Sequence, residues 1–278
     1  METIGIVGCG LLGAALAERY NAAGFVVSGF DIDGPTLERF PGRRAESLND
    51  LRGCRYVVLC LPHSGVSATV LNELALTTGA TVIDSTTGDP DEMAGLADSL
   101  ATCGVPYLDA TIGGSSRQVR IGEAIAIVGG DKDTFSACTH LFDAFAARTF
   151  YVGEAGSGAR MKLAMNLVLG LNRAALAEGL TFAKVMGLDT ALTLEILKAG
   201  PAYSQAMDAK GGKMLSGVFT AEARLSQHLK DVRLILEQAR EKGKALPLSE
   251  VHRALLEKAE AGGFGAADNS AIIKAYDD

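Results

Sequence analysis

Two polar residues stand in an otherwise apolar helical stretch, Lys162 and Asn166 of Ala159-Arg-Met-Lys-Leu-Ala-Met-Asn166. Four residues apart on a helix, they project from one face with roughly 6 Å of axial rise between them. An ammonium and an amide so placed reach one small oxygenated molecule together, the lysine moving a proton and the amide fixing orientation. A lysine beside an apolar wall and near another cation loses proton affinity, which suits proton exchange near neutrality. The same spacing also fits a plainer arrangement, in which Lys162 extends to solvent along its methylene stem and Asn166 satisfies a backbone carbonyl.

A second group lies at the start of the chain, where Gly8-Cys-Gly10-Leu11-Leu12-Gly13 follows the apolar run Thr3–Val7 and enters a helical segment, 14–22. In that context each glycine has a task. Gly8 permits the tight turn, Gly10 lets a pyrophosphate approach the backbone, and Gly13 allows the helix to pack closely on the strand. Leu11 and Leu12, between the glycines, belong to the same cofactor-contacting loop. The next apolar run, Val26–Phe30, is followed by Asp31, eighteen residues beyond Gly13, where a carboxylate accepts bonds from the adenosine ribose hydroxyls. NAD is favoured over NADP, because a 2′-phosphate faces Asp31 and the following residue is Ile32 rather than a neutralising arginine.

These groups need a scaffold, and the apolar runs describe one. Residues 3–7, 26–30, 56–61, 81–84 and 107–109 lack polar alternation, the pattern of strands buried on both faces in a doubly wound parallel α/β sheet. Around Phe150 the pattern changes, and from Ser157 onward helical periodicity continues to the end. A dinucleotide-binding domain over residues 1–155 and a nearly all-helical substrate and dimerisation domain over 156–278 follow. The second opens on a helix from the glycine-rich junction Gly153–Gly158 to about Met186, roughly 40 Å long. Its apolar residues Met161, Leu163, Ala164, Met165, Leu167, Val168, Leu169 and Leu171 point all round the axis, so it reads as buried on every side. Further helices are expected at 191–198, 221–242, after Pro247, and near Asp268 or Asn269.

Composition narrows the partners. The chain has 278 residues, 48% hydrophobic and 21% charged, with 26 basic against 33 acidic side chains. An acidic chain of this kind makes a poor nonspecific binder of nucleic acid or a membrane surface, so the expected partner is a small molecule. No stretch reaches the roughly 20 apolar residues of a membrane span, and no export signal is read. Five cysteines without a C-x-x-C pair suit reduced thiols in the cytoplasm. The four histidines are scattered and no metal site is suggested. The long apolar helix needs more cover than a small helical domain offers, so a homodimer or homotetramer is expected.

The motifs together resemble the β-hydroxyacid dehydrogenases, which include 3-hydroxyisobutyrate dehydrogenases and tartronate semialdehyde reductases. The likeness runs through nearly the whole chain: Ile4–Gly13, Leu59-Cys-Leu-Pro62, Asp84–Pro90, Leu108–Gly114, Gly156–Asn166, Leu229–Leu234 and Gly265–Ser270. It implies a Rossmann-like domain binding NAD(P), a helical second domain, a substrate cleft between them, and reversible oxidation of a small hydroxy acid to its semialdehyde or keto acid. Lys162 takes the position of the family's catalytic lysine, and Asn166 that of the second asparagine of its K-x-x-N-N pattern, whose first is Met165 here. Leu61, Pro62 and Thr87 match positions against the nicotinamide half of the cofactor, and Lys230 a lysine near cofactor and substrate.

One segment departs from the family. Its usual D-A-P-V-S-G-G reads Asp109-Ala-Thr-Ile-Gly-Gly-Ser115 in this chain, so Gly113 stands where a substrate-anchoring serine is usual. Backbone N–H groups of Gly113 and Gly114 are then the expected anion cradle, with Ser115, Ser116, Arg117 or Arg120 as further contacts. Three other readings compete: a 6-phosphogluconate-type dehydrogenase, for which no clear phosphate site is seen; an imine reductase, which Lys162 suits less well; and a noncatalytic nucleotide-binding or chromatin-associated module, which needs no proton donor.

Overall fold

In a computed structural model of the chain, which describes residues 1–76 and 78–277, the apolar runs of the first half are strands of one sheet. The strands are β1 (Thr3–Val7), β2 (Val26–Phe30), β3 (Arg43–Arg44), β4 (Tyr56–Leu59), β5 (Thr81–Asp84), β6 (Tyr107–Gly113), β7 (Ala124–Gly130) and β8 (Ala146–Gly153). They lie in the order β3-β2-β1-β4-β5-β6-β7-β8. Between them come α1 (Leu11–Ala22), α2 (Gly34–Glu38), α3 (Ser64–Leu74), α4 (Pro90–Ala101), α5 (Ser116–Arg120), α6 (Lys132–Ala137) and α7 (Thr139–Asp143).

Alternate residues of the strands feed two cores. Ile4, Ile6, Tyr56 and Val58 pack with Leu16 and Tyr20 of α1. Val7, Val57, Leu59 and Val82 pack with Leu71 and Leu74 of α3 and Met93 of α4. Burial on both faces is why the runs carry no polar alternation.

The sheet is not wholly parallel as expected. β6 and β7 are antiparallel, because their connection holds only the single short helix α5 and cannot make the crossover of a dozen or more residues that a parallel pair needs. β8 returns parallel to β7. Both strands escaped the sequence reading: β7 ends in glycines, and half of β8 is exposed. β6 runs to Gly113, four residues beyond the expected end, and those residues turn out to hold the start of the long helix.

The chain divides into two compact units, Met1–Lys162 and Leu163–Asp278, and the division falls inside α8 (Ser157–Val185). The second unit comprises the rest of α8 with α9 (Thr190–Ala199), α10 (Gln205–Ser216), α11 (Leu225–Glu241), α12 (Pro247–Ala259) and a closing 3-10 segment, Asn269–Tyr276. Its core joins Ala174, Ala177 and Leu180 to Leu229, Val232, Leu256 and Ile272. Helix α10 was not anticipated, its paired Gly211 and Gly212 weakening the helical signal.

The expectation that α8 is buried all round is corrected. Leu163, Asn166, Gly170, Arg173, Ala174, Ala177 and Leu180 are buried at three- and four-residue spacing, whereas Met161 and Val168 are about half exposed, at 49% and 57%. A helix can carry apolar residues on every face while one chain covers only a stripe of it.

Candidate active site

The order of the sheet reverses between β1 and β4, and in open α/β sheets ligands bind outside the strand ends at such a point. Gly8 sits there with φ +93°, and any side chain on it would strike the Cys60 carbonyl. The two loops are fastened by Cys60 N–H donating to Val7 O at 2.9 Å, while Gly8 N–H donates to Phe30 O at 2.9 Å. A side chain at Gly13 would strike the Gly8 carbonyl, but one at Gly10 meets nothing within 4 Å. Gly10 is the N-cap of α1 and brings no side-chain cap, so the first-turn N–H groups, beginning with Leu11 and Leu12, lack intrahelical acceptors. A Cβ-free approach and a helix N-terminus together can receive an anion. Asp31 borders this loop: its Oδ2 accepts from Cys9 N–H at 2.7 Å and its Oδ1 from Asp33 N–H at 2.9 Å.

The loops after β4 and β5 are joined through Thr86. Its Oγ1 accepts from Leu61 N–H at 3.1 Å and from Ser67 Oγ at 3.3 Å. Thr86 N–H in turn donates to Asp84 Oδ1 at 2.9 Å, and Tyr107 OH to Asp84 Oδ2 at 3.1 Å. Burial pushes the Asp84 carboxyl above the usual carboxylate range, against these hydrogen bonds. At the other end of the same turns Ser64 Oγ accepts from Asp89 N–H at 2.9 Å and donates to Glu92 at 2.6 Å. Leu61, Pro62 and Thr87 thus sit on two turns bonded to each other. Sequence reasoning named those three and missed Thr86, Ser64 and Asp84, which position them.

β6 then anchors the helix that carries the lysine. The fully buried Asp109 accepts from Gly156 N–H through Oδ1 at 3.0 Å and from Ala159 N–H through Oδ2 at 2.8 Å. A buried carboxylate here answers the unsatisfied N–H groups at the start of α8. Burial raises its pKa to about 6, with the N–H bonds opposing. Gly158 lets the helix come so close, since a side chain there would lie 2.8 Å from Asp109 Oδ2 and strike the Asp109 carbonyl. Thr111, in place of the family's proline, donates from Oγ1 to Gly158 O at 3.2 Å and Ile127 O at 3.3 Å.

One turn into α8, Lys162 Nζ donates to Ile112 O at 2.6 Å. The half-buried ammonium is therefore held at the residue before Gly113, beside the departing segment. In that segment Gly114 has φ +141°, and Ser115 forms a capping box with Gln118: Ser115 N–H donates to Gln118 Oε1 at 2.9 Å and Ser115 Oγ accepts from Gln118 N–H at 3.3 Å. Arg120 is drawn away to Glu18 at 2.9 Å, while Arg117 is exposed and Ser116 buried.

In the second unit Asn166, also on α8, is buried and donates from Nδ2 to Asp231 Oδ2 at 2.9 Å. The other oxygen of Asp231 pairs with Lys230 Nζ at 2.9 Å. Asn166 and Lys230, far apart in the chain, thus meet on one carboxylate. Asp231 was not singled out from the sequence; the available signal was its place in Leu229-Lys-Asp-Val, beside a lysine already under suspicion.

Residues 3–153 match the family described as the NAD binding domain of 6-phosphogluconate dehydrogenase. Residues 156–276 match that described as NAD-binding of NADP-dependent 3-hydroxyisobutyrate dehydrogenase. The chain belongs to the NAD(P)-dependent β-hydroxyacid dehydrogenases. Among its relatives, a 2-(hydroxymethyl)glutarate dehydrogenase of Eubacterium barkeri is 27% identical over 99% of this chain and 94% of its own. Glyoxylate/succinic semialdehyde reductase 1 of Arabidopsis thaliana is 26% identical over 98% of this chain and 97% of its own. The crystal structure of a 3-hydroxyisobutyrate dehydrogenase from Salmonella typhimurium, 22% identical, shares the fold with a TM-score of 0.90 over 99% of this chain and all of that one. Family membership favours the hydroxyacid dehydrogenase over the three competing readings. Among the described residues no helix is long and apolar enough to cross a membrane.

Proposed function

We propose that this β-hydroxyacid dehydrogenase oxidises a small β-hydroxy acid reversibly to its semialdehyde or keto acid with NAD, and that Lys162 is its general acid and base. The observation that carries this reading is the Lys162 Nζ bond to Ile112 O at 2.6 Å. It sets a titratable group next to Gly113 and Gly114, the segment that departs from the family pattern.

The glycine loop fits a dinucleotide. Gly10 leaves open space where a side chain would fill the approach, and α1 offers first-turn N–H groups to the pyrophosphate. Gly8, Gly10, Leu11, Leu12 and Gly13 hold the diphosphate, Asp31 the adenosine ribose, and Leu61, Pro62, Thr87 and Lys230 the nicotinamide end. Asp31 and the 95% exposed Ile32 favour NAD, because neither side chain neutralises a 2′-phosphate. A bound nicotinamide supplies the hydride acceptor in oxidation. Neutral Lys162 Nζ takes the hydroxyl proton in that direction; protonated, it returns a proton to the carbonyl oxygen in reduction. Asn166, steadied by Asp231, orients the substrate oxygen, while Gly113, Gly114 and Ser115 with Lys230 receive its carboxylate.

Residues 1–155 serve chiefly the cofactor, with Gly113, Gly114 and Ser115 turned to the substrate, and residues 156–278 serve chiefly substrate and self-assembly. Exposed Val168, Phe182, Val185 and Met186 of the second unit support a homodimer or homotetramer. Five free thiols suit a cytoplasmic location.

The test is turnover with NAD and NADP over 3-hydroxyisobutyrate, 3-hydroxypropionate, glycerate, threonate and the matching semialdehydes, in wild type and Lys162→Ala. Turnover of one acid is expected with NAD, falling at least about 10³-fold in the variant while NADH binding stays within about threefold. Comparable activity in Lys162→Ala overturns the assignment.

A further inference from the structure

The interior of the second unit holds more positive charge than its own acceptors answer. Arg173 is 2% exposed, and its Nε and Nη1 find no acceptor among the described residues. The carboxylate whose charge acts on it is Asp268, which is already occupied. Asp268 Oδ1 accepts from Lys210 Nζ at 2.9 Å, Ser270 N–H at 3.1 Å and Ser270 Oγ at 2.8 Å. Its Oδ2 accepts from Lys210 Nζ at 2.9 Å, Glu222 N–H at 3.0 Å and Ala223 N–H at 3.4 Å, with Lys213 Nζ also 3.4 Å away. Two buried cations, Arg173 and Lys210, therefore share one buried carboxylate. Two further carboxylates of this unit are engaged elsewhere: Asp231 holds Asn166 and Lys230, and Glu178 accepts from Tyr276 OH.

A further donor belongs to the same interior. His252, also 2% exposed, has an Nε2 that meets no partner, and its ring lies 5.2 Å from that of His228. Both rings pack against Gly170, three residues before Arg173: a side chain there would come within 2.5 Å of His228 Nε2 and of His252 Cε1. Burial and, after it, the Arg173 charge lower the His252 pKa to about 4, so the ring is neutral near pH 7 and can donate from Nε2 as one tautomer. A buried guanidinium left without an acceptor is strongly disfavoured, and so are enclosed N–H donors left unmade. An anion answers both deficits. The orphan atoms have no exposed surface, so the ion is small, and the surplus is a single charge, so it is monovalent.

We propose that Arg173 and His252 enclose a small monovalent inorganic anion, of which chloride is the type, in the interior of the second unit. Arg173 gives two donors through Nε and Nη1 and His252 the third. The ion takes no part in the reaction proposed above. A water bridging Arg173 to the unpartnered Asn269 Oδ1 is the competing occupant.

The full chain, exchanged into halide-free buffer, is unfolded at equilibrium in rising potassium chloride or bromide, with potassium gluconate holding ionic strength constant. In wild type the unfolding constant should fall about tenfold for each tenfold rise in halide above half-saturation, the dependence of one site. Arg173→Met should show no halide-specific change. Crystals of wild type soaked in bromide should give an anomalous peak at hydrogen-bonding distance from Arg173 Nε, a result that does not depend on the variant's folding. Equal stabilisation by gluconate, a halide effect retained in Arg173→Met, or water density without an anomalous peak overturns the proposal.

Discussion

Asp231 Oδ2 accepts the Asn166 Nδ2 hydrogen bond at 2.9 Å, while the same carboxylate pairs with Lys230 through Oδ1 at 2.9 Å. One buried side chain thereby sets two groups assigned to substrate and cofactor. Replacing Asp231 by Ala removes both restraints, and small misplacements of an orienting group cost about 10²-fold. We expect kcat/KM to fall by about that factor, with Asp231→Asn recovering part of it through the remaining amide oxygen. Equal losses in the two variants, measured by steady-state kinetics, would count against a positioning role.

The two functions assigned to the glycines separate by substitution. Gly8→Ala forces a side chain into the Cys60 carbonyl at φ +93°, and such strain costs about 3 kcal/mol, or about 6 °C or more in Tm. Gly10→Ala meets nothing within 4 Å and should leave Tm within about 2 °C while weakening NAD binding at least tenfold. Calorimetry and cofactor titration read both; NAD binding unchanged in Gly10→Ala removes the loop from the cofactor site.

Cofactor choice should turn on Asp31 and Ile32. Asp31→Ser with Ile32→Arg replaces a repelling carboxylate by a guanidinium that pairs with a phosphate. The ratio of kcat/KM for NADP over NAD should rise at least about 10²-fold, a change of about 3 kcal/mol. An unchanged ratio would place the adenosine ribose elsewhere. The loop is also held by Cys9 N–H on Asp31, so the single change Asp31→Ser should cost some stability.

Two buried groups pull the pH dependence of stability in opposite directions. Burial, offset by the N–H bonds of Ala159 and Gly156, raises Asp109 to about 6 from an unfolded value near 4. The folded state then holds the extra proton between those values, so this contribution is present below about pH 4 and lost as pH rises through 6. Burial and then the Arg173 charge depress His252 to about 4 from about 6.5, so here the unfolded state binds the extra proton. That contribution is present above about pH 6.5 and lost as pH falls through 4. Each amounts to about 3 kcal/mol, and in wild type the two largely cancel. Denaturant unfolding of Asp109→Asn from pH 4 to 7 should show stability rising with pH relative to wild type, and His252→Phe should show it falling. Parallel profiles for all three proteins would contradict the assignment.

Several elements were legible because their signal is local. β1, β2 and β5 have the limits that the apolar runs suggest. The glycine loop, Asp31 and the four-residue spacing of Lys162 and Asn166 likewise need only neighbouring residues to be read. β7 and β8 were not legible, since terminal glycines and an exposed face erase the pattern of a strand buried on both sides.

What the sequence by itself determined is the set of chemical groups and the helix and loop that carry them: three glycines at a strand–helix turn, an acid after the second strand, a lysine and an asparagine one turn apart. Tertiary structure alone decided what holds them. Asp109 caps a helix beginning nearly fifty residues later, Ile112 O receives Lys162, and Asp231 receives Asn166 across sixty-five residues. Burial of α8 along a single stripe was likewise settled only by packing. The physical reason is range. Helix spacing and turn chemistry act over a few residues, whereas a buried hydrogen bond depends on which distant segments the packed sheet and helices bring within 3 Å.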